Sequence, residues 1–500
     1  MEWAKETAQT ATDTVMGNET ANKAYNATKD TANKAYGNTT DAAAHPGDTA
    51  AAASDEASEY VPDAAKPGGT TTSAIINSAP FRSFKPDPAT VWQGHLIYII
   101  LAAASTIPWW TFIFAADYFQ YLYPGSHMIR LFVFAYLVPW LIAYVIICSF
   151  WREGSSWIKV NVGGAIAIVA LLVIPIMDGF FMGERGTTAT FWVTLVVVAI
   201  AGCTDAISQG SLLGISAELP QSFTKAYSTG VASSGVFVFI VRLILKASLS
   251  SSATGLRISG IVYFSIAALF VVLALALFAY VHNMPEMAYY TSLSLGSFET
   301  VRLLIQDEGS VTKEVAAGAA IAAVAAGSSS PARSLHWKAV LNHIQTLSVS
   351  TFLTSVITLT IFPGVLAEDL VPWEKLGDYS SLVLMGTFVV FDVCGRVFTN
   401  RDMEQKHSTV LSLALVRLLL VVFFIVGLLF DDSFVSSVVM MMILTALLGF
   451  SNGYLVSILT VLLPKSTPAD LAETAGILNA IFMNLGFLVG AGLSWILILI

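Results

Sequence analysis

Charged residues are scarce in this sequence of 500 residues, because Asp, Glu, Lys and Arg make up only 12% of it against 55% hydrophobic residues. The mean hydropathy of +0.71 lies far above that of ordinary soluble domains. Acidic residues exceed basic ones mainly in the first 90 residues, by twelve to seven. There is no basic surface that would indicate a nucleic-acid partner. The composition predicts a polytopic protein of the lipid bilayer.

Motifs that carry enzyme chemistry are also missing. Cys148, Cys203 and Cys394 lie apart in apolar segments without a CxxC pattern, so neither a disulfide nor a metal site is predicted. The sequence contains no HExxH motif and no phosphate-binding loop, which argues against enzymes of those classes. We therefore expect no cofactor. Repeated filter sequences typical of channels are absent too, and a carrier fits better.

What the sequence does contain is a series of eleven apolar runs, each long enough to cross about 30 Å of hydrocarbon. They lie at roughly 92–116, 128–150, 157–177, 190–217, 225–247, 256–282, 338–362, 379–400, 407–429, 434–462 and 471–498. We predict an all-α membrane bundle of six plus five transmembrane helices. Its parts are a tail over 1–88, helices 1 to 6 within 89–282, a polar cytosolic loop over 283–337, and helices 7 to 11 within 338–500.

The N-terminal tail is rich in Ala, Thr, Asp, Asn and Gly, which predicts disorder because such a segment buries little apolar surface. "TANKAYNATKD" at 20–30 is followed at once by "TANKAYGNTTD" at 31–41, an eleven-residue repeat. The tail resembles the repeats of late embryogenesis abundant proteins, which implies either an inert tail or a membrane-surface or protective role. The start of the chain lacks the pattern of a signal peptide. If the N-terminus is cytosolic, ten Lys and Arg residues near helix ends fall on the cytosolic side of the membrane and six on the opposite side.

Several polar side chains fall inside the apolar runs. A charge at a helix centre costs roughly 2.5 to 3.5 kcal/mol on the insertion scale, so such residues usually face a cavity or the bundle interior. The members of the pairs Asp205/Gln209 and Asp392/Arg396 are four residues apart and share a helix face. Each pair either lines a central site or locks neighbouring helices together. The other charges at membrane depth are Arg242 and Arg417, and for Arg417 a structural role between helices is favoured.

The first apolar run contains Pro108 followed by Trp109 and Trp110. Proline removes a backbone donor and is expected to break or kink the helix, which is tolerable beside a cavity or a protein partner. A flat aromatic side chain there suits stacking on a planar ligand. Anchoring at the membrane interface is the alternative for both tryptophans.

Together, several stretches resemble the equilibrative nucleoside transporter family, particularly its plant members. They include "IPWWTFIFAADYF" (107–119), "DAISQGSLLGISAELP" (205–220), "FDVCGRVFT" (391–399) and "GFSNGYLVSILTVLLPKSTPADLAETAG" (449–476). The combination of the last two blocks is specific, and the resemblance covers about 91–500. It implies an eleven-helix fold related to the major facilitator type, with a cytosolic N-terminus.

The resemblance also implies roles for individual residues. Trp109 matches a tryptophan that packs on the nucleobase, and Gln209 matches a glutamine that hydrogen-bonds it. In the eighth helix, Arg396 matches an arginine that reaches the ribose hydroxyls, next to its partner Asp392. Phe487 stands where the last helix contributes an apolar contact. The family usually has Asn where this chain has Trp110, so the polarity or size of the pocket is expected to differ.

These observations predict a nucleoside carrier, for adenosine and other nucleosides, that works by alternating access in a membrane, the plasma membrane rather than the vacuolar one. Plant relatives are often described as proton-coupled. Asp205, which has no arginine one turn away as Asp392 has, is then the expected proton site. The alternatives are a carrier for a nucleobase or another small polar solute, and a membrane-anchored stress protein that acts through its repeat tail.

Overall fold

The computed structural model describes most of the predicted membrane portion of the chain. The described residues are 87–150, 155–181, 183, 185–249, 252–284, 287, 337–369, 377–399, 407–430, 437–467 and 472–498. The predicted tail with its repeats, and most of the predicted loop over 283–337, lie outside them.

The described residues form mainly α-helices. In chain order these are α1 (Pro88–Phe114), α2 (Ala116–Leu122), α3 (Met128–Phe150), α4 (Ser156–Phe181), α5 (Thr188–Glu218), α6 (Gln221–Ser248), α7 (Ala253–His282), α8 (Trp337–Ile361), α9 (Ser380–Phe398), α10 (His407–Val416), α11 (Leu418–Leu429), α12 (Val438–Lys465) and α13 (Ala472–Leu497). A π-helical turn at Val365–Asp369 and a 3₁₀ turn at Gly377–Tyr379 lie between α8 and α9.

Eleven spans in this part of the chain are long and apolar enough to cross a membrane, six before residue 283 and five after residue 336. The predicted number and order of spans are confirmed. Helices satisfy their own backbone hydrogen bonds, which is why long apolar helices suit a bilayer. Large apolar side chains such as Leu269, Phe180 and Val439 remain mostly exposed on the outside of the bundle, as expected for a surface in contact with lipid.

Two local features differ from the sequence-based expectation. α1 continues through Pro108 to Phe114, so of the predicted break or kink at this proline the break does not occur. The ninth predicted span, in contrast, is divided at Arg417 into α10 and α11. The guanidinium of Arg417 is occupied there by partners on other helices, described below.

Each half of the bundle has its own main helix pairs. In the first half α1 packs on α6 and α3 on α5, and in the second half α8 packs on α13 and α9 on α12. The halves meet through the pairs α6·α9 and α3·α13. Aromatic rings fill the region between them, with Phe362 stacked on Phe388 at 4.2 Å between ring centroids and Trp110 at 5.9 Å from Phe362.

Polar contacts join the two halves at the end of the bundle where α1 finishes and α3 begins, which we call the tied end. Arg130, only 2% exposed, forms ion pairs with Glu368 and Asp369 of the π-helical turn. Glu368 also accepts the backbone N–H of Ile129 at 2.8 Å. Arg130 Nε donates to Ser494 Oγ of α13 at 3.2 Å.

A second tie at this end is formed by Lys246 of α6. Its Nζ donates to Asp117 Oδ2 at 2.8 Å and to the carbonyl oxygen of Asp378 at 2.7 Å. The hydroxyl of Tyr379 donates to the carbonyl oxygen of Lys246 at 3.1 Å. Asp117 also accepts from Arg242 at 2.6 Å, so one carboxylate in the first half serves two cations, one of which reaches the second half.

Candidate substrate site

Asp392 and Arg396 form the ion pair that their spacing on α9 predicts. Arg396 Nε donates to Asp392 Oδ2 at 2.8 Å. The Asp392 side chain is 10% exposed and that of Arg396 is 26% exposed. The two terminal nitrogens of Arg396 make no hydrogen bond with the described residues, so a planar pair of donors is available to a ligand.

Both oxygens of the Asp392 carboxylate accept a hydrogen bond. Its Oδ1 accepts from Asn452 Nδ2 of α12 at 2.7 Å, while its Oδ2 holds Arg396. The aspartate therefore orients the arginine, and each of its oxygens still has a lone pair to offer a ligand. Asn452 lies in the "SNGY" block at 451–454, and sequence reasoning assigned no role to it. The signal that could have identified Asn452 is an amide side chain inside an apolar run.

Glycines bring α9 and α12 close enough for this contact. A Cβ atom at Gly453 would collide with the carbonyl oxygen of Asp392, and one at Gly395 would collide with that of Phe450. Gly449 is held in the same way against the carbonyl oxygen of Phe388. The backbones thus touch at three places along this helix pair, as small residues permit in membrane helix pairs.

Arg417 is 3% exposed and has the role between helices that its sequence context favoured. Its Nε donates to Ser451 Oγ at 2.9 Å, its Nη1 to the carbonyl oxygen of Thr354 at 3.0 Å and its Nη2 to Thr358 Oγ1 at 2.8 Å. These partners lie on α12 and α8. The arginine at the α10/α11 break therefore joins three elements of the second half.

In the first half, Gln209 of α5 is half-buried, and its side-chain amide makes no hydrogen bond with the described residues. The backbone carbonyl oxygen of Gln209 accepts a hydrogen bond from the Tyr227 hydroxyl of α6 at 3.2 Å, which fixes the backbone at this point. Both the donor and the acceptor of the amide are thus open to a ligand.

Asp205 lies one turn before Gln209 and is 6% exposed. Its Oδ2 accepts from Trp140 Nε1 of α3 at 3.2 Å, and its buried Oδ1 has no hydrogen-bond partner among the described residues. Asp205 is therefore held against α3 and not paired with a cation of the described chain. This environment differs from that of Asp392.

Both tryptophans of α1 pack against other helices of the bundle. Trp109 is half-buried with its ring centroid 4.9 Å from that of Tyr136 of α3. Trp110 packs between the halves, against Gly235 of α6 and Phe362. In the last helix Phe487 is half-buried and packs at the edge of the main hydrophobic core.

The predicted site residues therefore fall into separate groups. Asp392 and Arg396 are in direct contact, and Asp205 and Trp109 both pack on α3. Gln209 and Phe487 contact neither group through a hydrogen bond. Trp109 lies near the tied end of its helix, whereas Gln209 and Arg396 lie toward the opposite ends of α5 and α9. A single molecule that touched all three would extend along the bundle axis.

Comparison with known proteins identifies the family. The family model described as "Nucleoside transporter" matches residues 194–499 of the chain. The chain belongs to the nucleoside transporter family. It is 30% identical over 433 residues to equilibrative nucleotide transporter 1 of Arabidopsis thaliana, a match that covers 85% of this chain and 91% of the relative. Equilibrative nucleotide transporter 8 of the same plant is 27% identical over 403 residues, covering 81% and 94%.

Solved structures of major facilitator transporters share the fold. The proton:xylose symporter XylE, solved with a bound glucose derivative, aligns with a TM-score of 0.53 at 12% identity, over 81% of this chain and 88% of that one. A peptide transporter, POT, solved with alafosfalin, aligns with a TM-score of 0.53 at 12% identity, over 85% and 92%. The resemblance to plant equilibrative nucleoside transporters is thus confirmed, and this nucleoside transporter family member is a multi-pass membrane transporter and not an enzyme.

Proposed function

We propose that the protein carries nucleosides, adenosine among them, by alternating access between its six-helix and five-helix halves. The observation that carries the proposal is the guanidinium of Arg396, which Asp392 holds through Nε at 2.8 Å while its two terminal nitrogens make no hydrogen bond within the described part of the chain. Two parallel donors match the two neighbouring hydroxyls of a ribose. The free amide of Gln209 and the indole of Trp109 supply polar and stacking contacts for a base.

The positions along the bundle axis favour one orientation of the substrate. Trp109 lies nearer the tied end, and Arg396 lies toward the other end. The base then faces the tied end and the ribose faces away from it, with Phe487 as an apolar contact. Site residues on both halves allow substrate binding to bias the rocking of one half against the other.

Labelled adenosine uptake into proteoliposomes tests the proposal, with wild type compared with Arg396→Ala. We expect uptake by wild type and a loss of at least about tenfold in the variant, since a hydrogen bond to a charged group contributes about 1.5 to 3 kcal/mol. Equal uptake by both proteins would exclude the site. Unlabelled adenosine, adenine and AMP as competitors separate a nucleoside from a nucleobase and from the nucleotides that the relatives' names indicate.

Asp205 is the proposed proton site if uptake is coupled to a proton gradient. Its Oδ1 is buried with no hydrogen-bond partner among the residues that the structure describes, and Tyr136 and Tyr227 are titratable groups beside it. Uptake is measured with and without an imposed pH gradient in wild type and Asp205→Asn. We expect the gradient to accelerate wild type alone, and an unchanged response in the variant rules out this role.

The cytosolic position of the N-terminus and the plasma membrane location belong to the same proposal. The excess of Lys and Arg on one side of the short loops supports this orientation. Deleting residues 1–80 separates transport from the alternative of a stress protein that acts through its repeats. Uptake is expected to survive the deletion, and its disappearance would favour the alternative.

A further inference from the structure

Four helical elements of the second half contribute to one chain of hydrogen bonds that ends at Arg396. It runs from Arg396 to Asp392, from Asp392 to Asn452, from Asn452 to Thr358 and from Thr358 to Arg417, with each link between 2.7 and 2.8 Å. We call these five side chains the arginine relay. Arg396 and Asp392 belong to α9, Asn452 to α12, Thr358 to α8, and Arg417 to the α10/α11 break.

Burial is graded along the relay. Thr358 is 2% exposed, Arg417 is 3% exposed and Asn452 is 7% exposed, whereas the side chain of Arg396 is 26% exposed. Only the Arg396 end can meet a ligand. The other members are shielded from water, where hydrogen bonds are stronger and an unsatisfied partner is costly.

The direction of each bond follows from the chemistry of its ends. Arg417 can only donate, so the Thr358 oxygen accepts from it and the hydroxyl proton of Thr358 is left for Asn452 Oδ1 or the Thr354 carbonyl. Asn452 accepts through Oδ1, which directs its NH₂ group to the carboxylate of Asp392. A rotated amide would place Oδ1 against Asp392, oxygen against oxygen. The relay therefore sets which way Asn452 points.

The charges give a reason for this connection. A buried cation needs a compensating charge, and Arg417 forms no ion pair with the described residues. Through the arginine relay, Arg417 reaches the carboxylate of Asp392, which also holds Arg396. One buried carboxylate thus lies between two arginines, and its position depends on both.

We propose that Arg417, Thr358 and Asn452 are positioning residues for the substrate, since they fix Asp392 and through it the guanidinium of Arg396. The inference rests on the proposed contact between Arg396 and the ribose. It adds that the orientation of Arg396 is set by the whole second half and not by α9 alone. Disturbing a remote member then weakens recognition of the ribose hydroxyls without touching the substrate.

The experiment measures the ratio of Vmax/KM for adenosine to that for 2′,3′-dideoxyadenosine, which lacks both hydroxyls. The ratio is independent of the amount of active protein, so a loss of folded transporter alone leaves it unchanged. Thr358→Val removes the hydroxyl with little change of shape, and Thr358→Ser retains it. We expect Thr358→Val to lower the ratio about 3- to 10-fold through KM, and Thr358→Ser to preserve it. Arg417→Lys, which keeps the charge but loses the fork, is expected to lower it as well.

Two matched controls distinguish positioning from packing. Thr445→Val is made on α12 at a fully buried threonine whose hydroxyl has no partner among the described residues. Arg242→Lys is made at a fully buried arginine of the first half, which binds Ser259 and Asp117. We expect the ratio to stay at the wild-type value in both, although Arg242→Lys lowers thermal stability.

Arg396→Lys separates the inference from the function on which it rests. If wild type does not favour adenosine over the dideoxy compound, or Arg396→Lys keeps the preference, the ribose contact fails and the relay fails with it. If Arg396→Lys abolishes the preference but Thr358→Val and Arg417→Lys keep it, the relay alone is refuted. The comparison of Thr358→Val with Thr358→Ser decides the question even if Arg417→Lys does not fold.

Discussion

At Arg396 one nitrogen of the guanidinium donates to Asp392 and the terminal two face no acceptor of the described chain. At Gln209 the amide is half-buried and equally unpaired. In a protein interior most polar groups are paired, so an unpaired group beside a possible substrate path is informative. The substrate is expected to pair these groups when it binds, which makes them sources of specificity.

Gln209→Leu tests this at a single residue. The change removes the donor and the acceptor and leaves an apolar side chain one atom shorter, and no group of the described chain loses a partner. We expect KM for adenosine to rise about 2- to 10-fold, as for the loss of one ordinary hydrogen bond, with thermal stability unchanged or higher. Uptake kinetics and a melting curve on the same preparation check it. An unchanged KM would remove Gln209 from the site.

At the scale of helices, the site depends on the contact between α9 and α12. Gly453, Gly395 and Gly449 let the two backbones touch, and Asn452 reaches Asp392 only because they do. Wider separation of the helices would break the 2.7 Å bond between Asn452 and Asp392. In the proposed site, the packing of small residues and the recognition of the substrate are therefore connected.

Gly453→Ala is expected to be much more harmful than its size suggests. The added methyl group would collide with the Asp392 carbonyl oxygen, so α9 and α12 must separate. Overpacking of this kind typically costs about 1 to 3 kcal/mol, and adenosine uptake should fall with the melting temperature. The control is Gly492→Ala on α13, where a Cβ meets no atom within 4 Å. Its uptake and stability are expected to equal or exceed those of wild type, and equal behaviour of the two variants would contradict the packing argument.

The eleven spans could be predicted from sequence because a bilayer demands long helices that satisfy their own hydrogen bonds. The ion pair of Asp392 and Arg396 could be predicted because both partners lie one turn apart on one helix. The link to Asn452 could not, because its partner is 60 residues away and the register between α9 and α12 is set by their packing. The same holds for Arg417, whose partners on α8 lie 59 and 63 residues away. The buried ion pairs of Arg130 could not be predicted either, because Glu368 and Asp369 lie 238 and 239 residues away along the chain.

For the whole molecule, the ties of Arg130 and Lys246 hold the two halves together at one end. Burial raises the pKa of Asp117, but Arg242 and Lys246 together outweigh it and hold the pKa below its usual value. The stabilisation from Asp117 is therefore present above the ordinary Asp pKa of about 3.9 and is lost only as the pH falls through the lowered value. A pH dependence of uptake between pH 5 and 8 is not expected to arise from this tie.

The proposed alternating access requires the tied end to open in each cycle, so every contact there affects how often it opens. Tyr379 offers a mild way to weaken it, since its hydroxyl donates to the Lys246 carbonyl oxygen at 3.1 Å across the two halves. Tyr379→Phe removes that bond and keeps the ring beside Lys246. Tyr118→Phe is the matched control, because the Tyr118 hydroxyl lies buried in the first half without a partner among the described residues.

Opening is measured with Ser494→Cys in a background where Cys148, Cys203 and Cys394 are replaced by serine. Ser494 is 2% exposed and contacts Arg130, so a cysteine there reacts with a water-soluble maleimide only when the tied end opens. Loss of a hydrogen bond contributing about 0.5 to 1.5 kcal/mol predicts labelling about 2- to 12-fold faster in Tyr379→Phe, and no change in Tyr118→Phe. Equal rates in the two variants would mean that the Tyr379 contact does not restrain this end of the carrier.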